Sequence, residues 1–148
     1  MPTRADFYIE STWLGSITFD GYPDNPELQK LDTTRQCVFE ERISELLKQR
    51  RDSTLPSEGW PWPWDDSTLT GYAYVWHNDK VWVSEGMEPL VLVPFTELLA
   101  MSENEVDDYY DSWEEHPSAI PWSFPNMSQH RMHHDKMMRK SGLIIIGN

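Results

Sequence analysis

Gly71-Tyr72-Ala73-Tyr74-Val75-Trp76-His77-Asn78-Asp79-Lys80-Val81-Trp82-Val83-Ser84 is the stretch on which the reading of the fold turns. Aromatic and β-branched residues fill both halves, and Asn-Asp at the centre suits a tight turn, so the stretch predicts a β-hairpin. That turn sets Trp76 opposite Val81 and Tyr74 opposite Val83. Val75 and Trp82 then share the other face. Two strands alone are marginal in water, so the hairpin needs further strands or a covering layer.

Strands are found upstream. Phe7 and Ile9 alternate with Tyr8 and Glu10, and Trp13, Gly15, Ile17 and Phe19 follow at period two. The turn formers Asp20-Gly21-Tyr22-Pro23-Asp24-Asn25-Pro26 end the second strand. The covering layer comes next. Thr33-x-x-Gln36 has the form of a capping box, and Phe39, Ile43, Leu46 and Leu47 fall on one face at helical spacing. Lys48, Arg50 and Arg51 crowd the end of this helix, read over residues 34–50, where positive charge suits the dipole.

Between helix and hairpin lies Leu55-Pro56-Ser57-Glu58-Gly59-Trp60-Pro61-Trp62-Pro63-Trp64-Asp65-Asp66. The prolines exclude a helix or a central strand and predict extended or polyproline-like backbone. The tryptophans have two readings, an aromatic lid folded back on the sheet or a stacking surface offered to a partner. Exposing three indoles would leave an unusually large apolar patch, which favours the lid. Trp62 and Trp64 are nevertheless candidate partner-binding residues, since an exposed indole is a common hot spot.

After the hairpin, residues 94–101 are compatible with a short helix. Ser102-x-x-Glu105 predicts the start of another, on which Val106, Tyr109, Tyr110 and Trp113 form one apolar stripe. The rest of that helix is acidic. Residues 97–115 hold eight acids and no base, within a chain of net charge −13. Like charges at i,i+4, such as Asp107 with Asp111, each cost a few tenths of a kcal/mol (about 0.2–0.5), and an ordinary surface helix mixes signs. Glu103, Glu105, Asp107, Asp108, Asp111, Glu114 and Glu115 are therefore candidate partner-binding residues, able to imitate phosphates before a basic groove. Direct nucleic-acid binding by so acidic a chain is disfavoured. A Pro-broken loop from Ile120 to Pro125 and a His- and Met-rich stretch follow, and Ser141-Gly142-Leu143-Ile144-Ile145-Ile146-Gly147 predicts a terminal strand.

The length of 148 residues suits one domain, 1–148. Eight Trp, six Tyr and five Phe supply core bulk and argue against disorder. A lone cysteine, Cys37, permits no internal disulfide. With no signal-like apolar run near the start, this leads to the expectation of a cytoplasmic protein without membrane contact. The fold expected is α+β: a small, mainly antiparallel sheet with one packed amphipathic helix and a marginal acidic helix.

Catalytic signals are sparse. No P-loop, GxGxxG, GxSxG or CxxC is present. Asp65 and Asp66 with Glu58 or His77 offer carboxylates for a metal-dependent enzyme, but adjacent acids in a loop are usually turn formers. His130, His133 and His134 resemble metal ligands, yet Arg131, Lys136, Arg139 and Lys140 surround them and no HExxH is present. No catalytic residue, metal ligand or cofactor is assigned.

Trp13-Leu14-Gly15-Ser16-Ile17 before Asp20-Gly21, the run Trp60–Ser67, the hairpin strands Gly71–Trp76 and Lys80–Ser84, Phe124-Pro125-Asn126-Met127 and Ser141–Ile145 form a set in fixed order. This set, about half of the chain, resembles small proteins encoded by tailed phages and prophages. The resemblance carries no catalytic residues. It implies a phage product acting in a bacterial host cell, and an accessory protein that disarms a host defence such as a CRISPR effector or a restriction enzyme. A small metal-dependent enzyme and a virion structural protein are the alternatives.

Overall fold

The computed structural model describes residues 3–85, 91–104 and 117–127, with backbone only for 100–104. Its centre is a seven-stranded sheet in the order β3-β2-β1-β4-β5-β6-β7. The first hairpin joins β1 (Ala5–Ile9) to β2 (Thr12–Ile17), and β3 (Ser53–Thr54) extends its edge. The second joins β4 (Tyr72–His77) to β5 (Lys80–Ser84), followed by β6 (Val91–Pro94) and β7 (Ile120–Pro121). All neighbours are antiparallel except β1 and β4, which pair in parallel with Phe7 beside Tyr74. A parallel pair cannot be closed by a tight turn. The chain between them carries α1 (Pro26–Gln29), α2 (Gln36–Gln49) and the tryptophan loop.

The β4–β5 register is the expected one: Trp76 faces Val81, Val75 faces Trp82 and Tyr74 faces Val83. Asn78 and Asp79 adopt φ of 47° and 61°, the doubly left-handed turn that matches the twist of a hairpin. The alternation then sorts side chains by face. Phe7, Tyr72, Tyr74, Trp76, Val81, Val83 and Val93 join one core with the helices, while Tyr8, Ala73, Val75, Trp82 and Leu92 join another.

On β2 the expected period-two run breaks. Phe7 pairs with Gly15 but Tyr8 pairs with Trp13, so Leu14 is an extra, bulged residue. The bulge sends Trp13 to the face of Tyr8, whereas Ile17 stays on the helix face. Phe19, past the end of the strand, is 51% exposed. Gly15 lies against Leu47 of α2 and Thr54 of β3. A Cβ there would lie 2.6 Å from Leu47 Cδ1 and 2.8 Å from the Thr54 carbonyl, at a φ of +144°. No other residue type fits without displacement.

Helix α2 buries Phe39, Ile43, Leu46 and Leu47, the four positions expected from spacing. Its start differs from the expected capping box. Arg35 is the cap residue and makes no side-chain cap bond. Thr33 Oγ1 instead accepts the Arg35 N–H at 3.2 Å, a local turn just ahead of the helix. Arg50 also departs from a simple dipole role. It leaves the helix in extended backbone and donates to Asp52, Glu27, Asp20 and the Phe19 carbonyl, which ties the β2–β3 end to α1.

Helix α3 (Phe95–Asn104) follows β6 directly and seats Phe95 and Leu98 in the helix-side core. Ser102 lies inside this helix rather than at the start of a second one. The short helix expected over 94–101 therefore continues through the predicted cap. Glu105 to Glu115, His130 to His134 and the predicted terminal strand lie outside the described residues. No helix among the described residues is long and apolar enough to cross a membrane.

Candidate functional site

The most concentrated chemistry among the described residues lies under the tryptophan loop. Asp6 on β1 is fully buried. Its Oδ1 accepts Ser16 Oγ at 2.5 Å and Trp62 Nε1 at 2.7 Å, and its Oδ2 accepts Ser67 Oγ at 2.6 Å. Thr70 supplies a further side-chain bond. A second rank of donors stands behind these. Trp13 Nε1 donates to Ser16 Oγ at 3.0 Å, and the Tyr8 hydroxyl lies 2.6 Å from Ser67 Oγ. The hydroxyls thus relay donation inward, Trp13 to Ser16 to Asp6 and Tyr8 to Ser67 to Asp6.

Burial pushes the Asp6 carboxyl above its ordinary value of 3.8, and the four hydrogen bonds from Ser16, Ser67, Trp62 and Thr70 oppose that rise without cancelling it. Burial likewise pushes the Tyr8 hydroxyl up, reinforced by the nearby Asp6 charge. Asp6, Ser16 and Ser67 are each 0% exposed. A general acid or base must reach a substrate proton, so a carboxyl sealed in this way positions structure instead. It joins β1 to β2 through Ser16 and to the loop through Trp62, Ser67 and Thr70.

The lid reading of Trp60-Pro61-Trp62-Pro63-Trp64 is the one realised. Trp60 and Trp62 are 3% and 6% exposed. Their indole N–H groups have acceptors, Trp60 on the Trp64 carbonyl at 2.6 Å and Trp62 on Asp6. Trp64 is half-buried, stacks on Trp62 at 5.6 Å and donates to Thr70 Oγ1 at 2.9 Å. Of the two indoles expected at a partner surface, Trp62 therefore lies inside and only Trp64 has exposed area. Backbone here is not uniformly extended: Pro56–Glu58 and Ser67–Leu69 each form a short 3₁₀ turn. Phe124 and Met127 complete this core, and the Met127 N–H donates to the Asp65 carbonyl at 2.6 Å. Trp122 Nε1 is enclosed and has no acceptor among the described residues.

Of the residues considered for an enzyme, Asp65 is exposed, while Asp66, Glu58 and His77 serve local structure. Asp66 accepts the Thr68 N–H at 2.9 Å, Glu58 accepts the Leu55 N–H at 2.9 Å, and Glu10 holds His77 Nδ1 at 2.8 Å. No group of three or more His, Cys, Asp or Glu side chains among the described residues converges on a metal position.

The acidic candidates begin on α3. Glu97 accepts Ser118 Oγ at 2.7 Å, so the helix start is joined to the residues just before β7. Of the seven acidic candidates only Glu103 falls within a described element, and there as backbone. Asp6 was absent from the sequence expectations. A single Asp in the run Ala5-Asp6-Phe7-Tyr8, an inward position of a buried strand, was the available signal, because a carboxylate there demands partners.

Comparison with protein-family models, with curated proteins and with solved structures finds no match to this chain.

Proposed function

We propose that this chain is a non-enzymatic, phage-encoded accessory protein that binds and inhibits a host nucleic-acid-handling defence complex. Its acidic surface would occupy a basic groove that normally holds nucleic acid. The observation that carries the reading is charge placement: eight acids without one base over residues 97–115. Two features support it. The segment issues from a fixed base, since Phe95 and Leu98 are buried in the core and Glu97 is bonded to Ser118. Two of the carboxylates considered for an enzyme, Glu58 and Asp66, are engaged in backbone caps, while Asp65 is exposed.

Attraction between an acidic surface and a basic groove weakens as salt screens it. The test is capture of partners from host lysate at low and high salt. It compares the wild type with a variant in which Glu103, Asp107, Asp111 and Glu115 are changed to Lys. The expected result is salt-sensitive capture of a nucleic-acid-binding complex, lost in the variant, with inhibition of that complex lost in parallel. Undiminished capture by the variant overturns the proposal.

A further inference from the structure

Arg4 and Arg50 are placed in opposite electrostatic circumstances. Arg50, 14% exposed at its side chain, pairs with Asp20, Glu27 and Asp52. Arg4 is half-buried, and its guanidinium has no carboxylate or carbonyl partner among the described residues. It lies instead 5.4 Å from the Trp62 ring centroid and 5.5 Å from that of Trp64. Those rings are 5.6 Å apart and 21° from parallel. Cation and rings thus form a triangle of nearly equal sides.

Every part of this triangle is held in place. Trp62 is fixed by its bond to Asp6, and Trp64 by its bond to Thr70. The Arg4 backbone is fixed too. Its carbonyl accepts the Tyr72 N–H at 3.0 Å, and the neighbouring Thr3 carbonyl accepts the Gly21 N–H at 2.9 Å. Gly71 passes so close that a Cβ there would lie 2.9 Å from the Arg4 carbonyl oxygen. Cation–π contact satisfies the face of a guanidinium but uses none of its five N–H donors. Those donors match a carboxylate or phosphate in bidentate geometry.

The surroundings choose between these oxyanions. Asp65, exposed, follows Trp64 directly in the chain, and the protein as a whole carries a net charge of −13. A polyanion would be repelled, whereas a single carboxylate can be held by one arginine. Trp64, half-buried, offers the apolar area of its own ring beside the guanidinium. We propose that Arg4, seated on Trp62 and Trp64, is a receptor for a single carboxylate of a polypeptide partner, with the Trp64 ring as its apolar flank. This seat uses none of residues 97–115, so it stands or falls apart from the acidic-surface reading.

The test follows the indole N–H signals of ¹⁵N-Trp-labelled protein during titration. The probes are acetyl-Leu-Glu-amide for a side-chain carboxylate and acetyl-Leu-Gly for a chain terminus. Acetyl-Leu-Gln-amide is the neutral control, and inorganic phosphate is the competing oxyanion. The expected result is a saturable shift at Trp64 with at least one carboxylate probe, with affinity reduced about tenfold for the neutral control and in Arg4→Gln. The probe that binds identifies the source of the carboxylate. Unmoved Trp13 and Trp60 signals certify the fold of the variant, and Arg4→Lys, which keeps charge but lacks the planar fork, gives a second variant expected to bind more weakly. Equal shifts with the neutral probe, no shift with either carboxylate, tighter binding of phosphate, or full binding by Arg4→Gln overturns the proposal.

Discussion

On the helix-covered face of the sheet, Phe7, Ile17, Tyr74 and Val83 meet Phe39, Ile43, Leu46, Leu47, Phe95 and Leu98. On the opposite face, Tyr8, Trp13, Val75 and Trp82 meet Trp60, Trp62, Phe124 and Met127. Both faces are buried, but what they demand differs. The first is mostly apolar, and its buried Tyr74 hydroxyl donates to the Gly21 carbonyl at 2.7 Å. Burial there is close to additive in area and tolerant of small shifts. The second places indole N–H groups, four hydroxyls and a carboxylate in the interior, and each donor needs an acceptor at hydrogen-bond distance. A core built in this way is specified by directions as well as by volume.

Substitutions that separate the two kinds of core sharpen the contrast. The largest effect is expected from Asp6→Ala, which strips Trp62, Ser16 and Ser67 of their common acceptor at once. Removing one side of a buried, charged network costs about 3–5 kcal/mol. Asp6→Asn should also destabilise, because its amide brings donors to a point where only donors converge. Chemical denaturation measures both, and an Asp6→Ala variant as stable as wild type breaks the comparison. Phe39→Ala on the helix face should cost about 3–5 kcal/mol through loss of area and the cavity left. Trp62→Phe keeps most of the ring but removes the N–H, and about 1–3 kcal/mol is expected.

The pH dependence separates two carboxylates by sign. The Asp6 value is raised in the folded state, so the native protein binds this proton more tightly than the unfolded chain does. Its contribution is full below 3.8 and is lost as pH rises through the raised folded value. Asp52 is the reverse. Burial raises its value, but the bonds from Arg50 and the Phe19 N–H outweigh burial and hold it below 3.8. Its contribution is full above 3.8 and is lost as pH falls through the lowered folded value. Stability measured against pH should therefore lose part of its acid-side decline in Asp52→Asn. Asp6→Asn should lose a component of opposite slope. The smallest effect belongs to Leu69→Ser, for a residue 69% exposed, where a change within about 0.5 kcal/mol is expected.

The α+β class, the α2 face and the β4–β5 register were legible in the sequence, for one reason: each follows from a repeat over neighbouring positions. Phe39, Ile43, Leu46 and Leu47 lie within one helix, and Trp76 opposite Val81 needs only a turn length. The bulge at Leu14 was hidden, since it appears only when β2 is laid against β1. Strand β6 was also hidden, because Val91-Leu92-Val93 is short, lacks alternation in sequence and merges into α3. The capping boxes at Thr33 and Ser102 show the opposite error. Both patterns are local, and neither marks a helix start: α2 begins at Gln36, and Ser102 lies within α3.

By itself, the sequence determined the periodic elements, the aromatic bulk and the concentration of acids in 97–115, all of which depend on composition and near-neighbour spacing. The tertiary structure alone decided which tryptophans lie inside. Trp62 meets Asp6 across 56 positions and Ser67 meets it across 61. A hydrogen bond between residues so far apart depends on the relative placement of strand and loop, which no local pattern encodes. The same closure brings Arg4 onto Trp62 and Trp64 and leaves its donors without a carboxylate among the described residues.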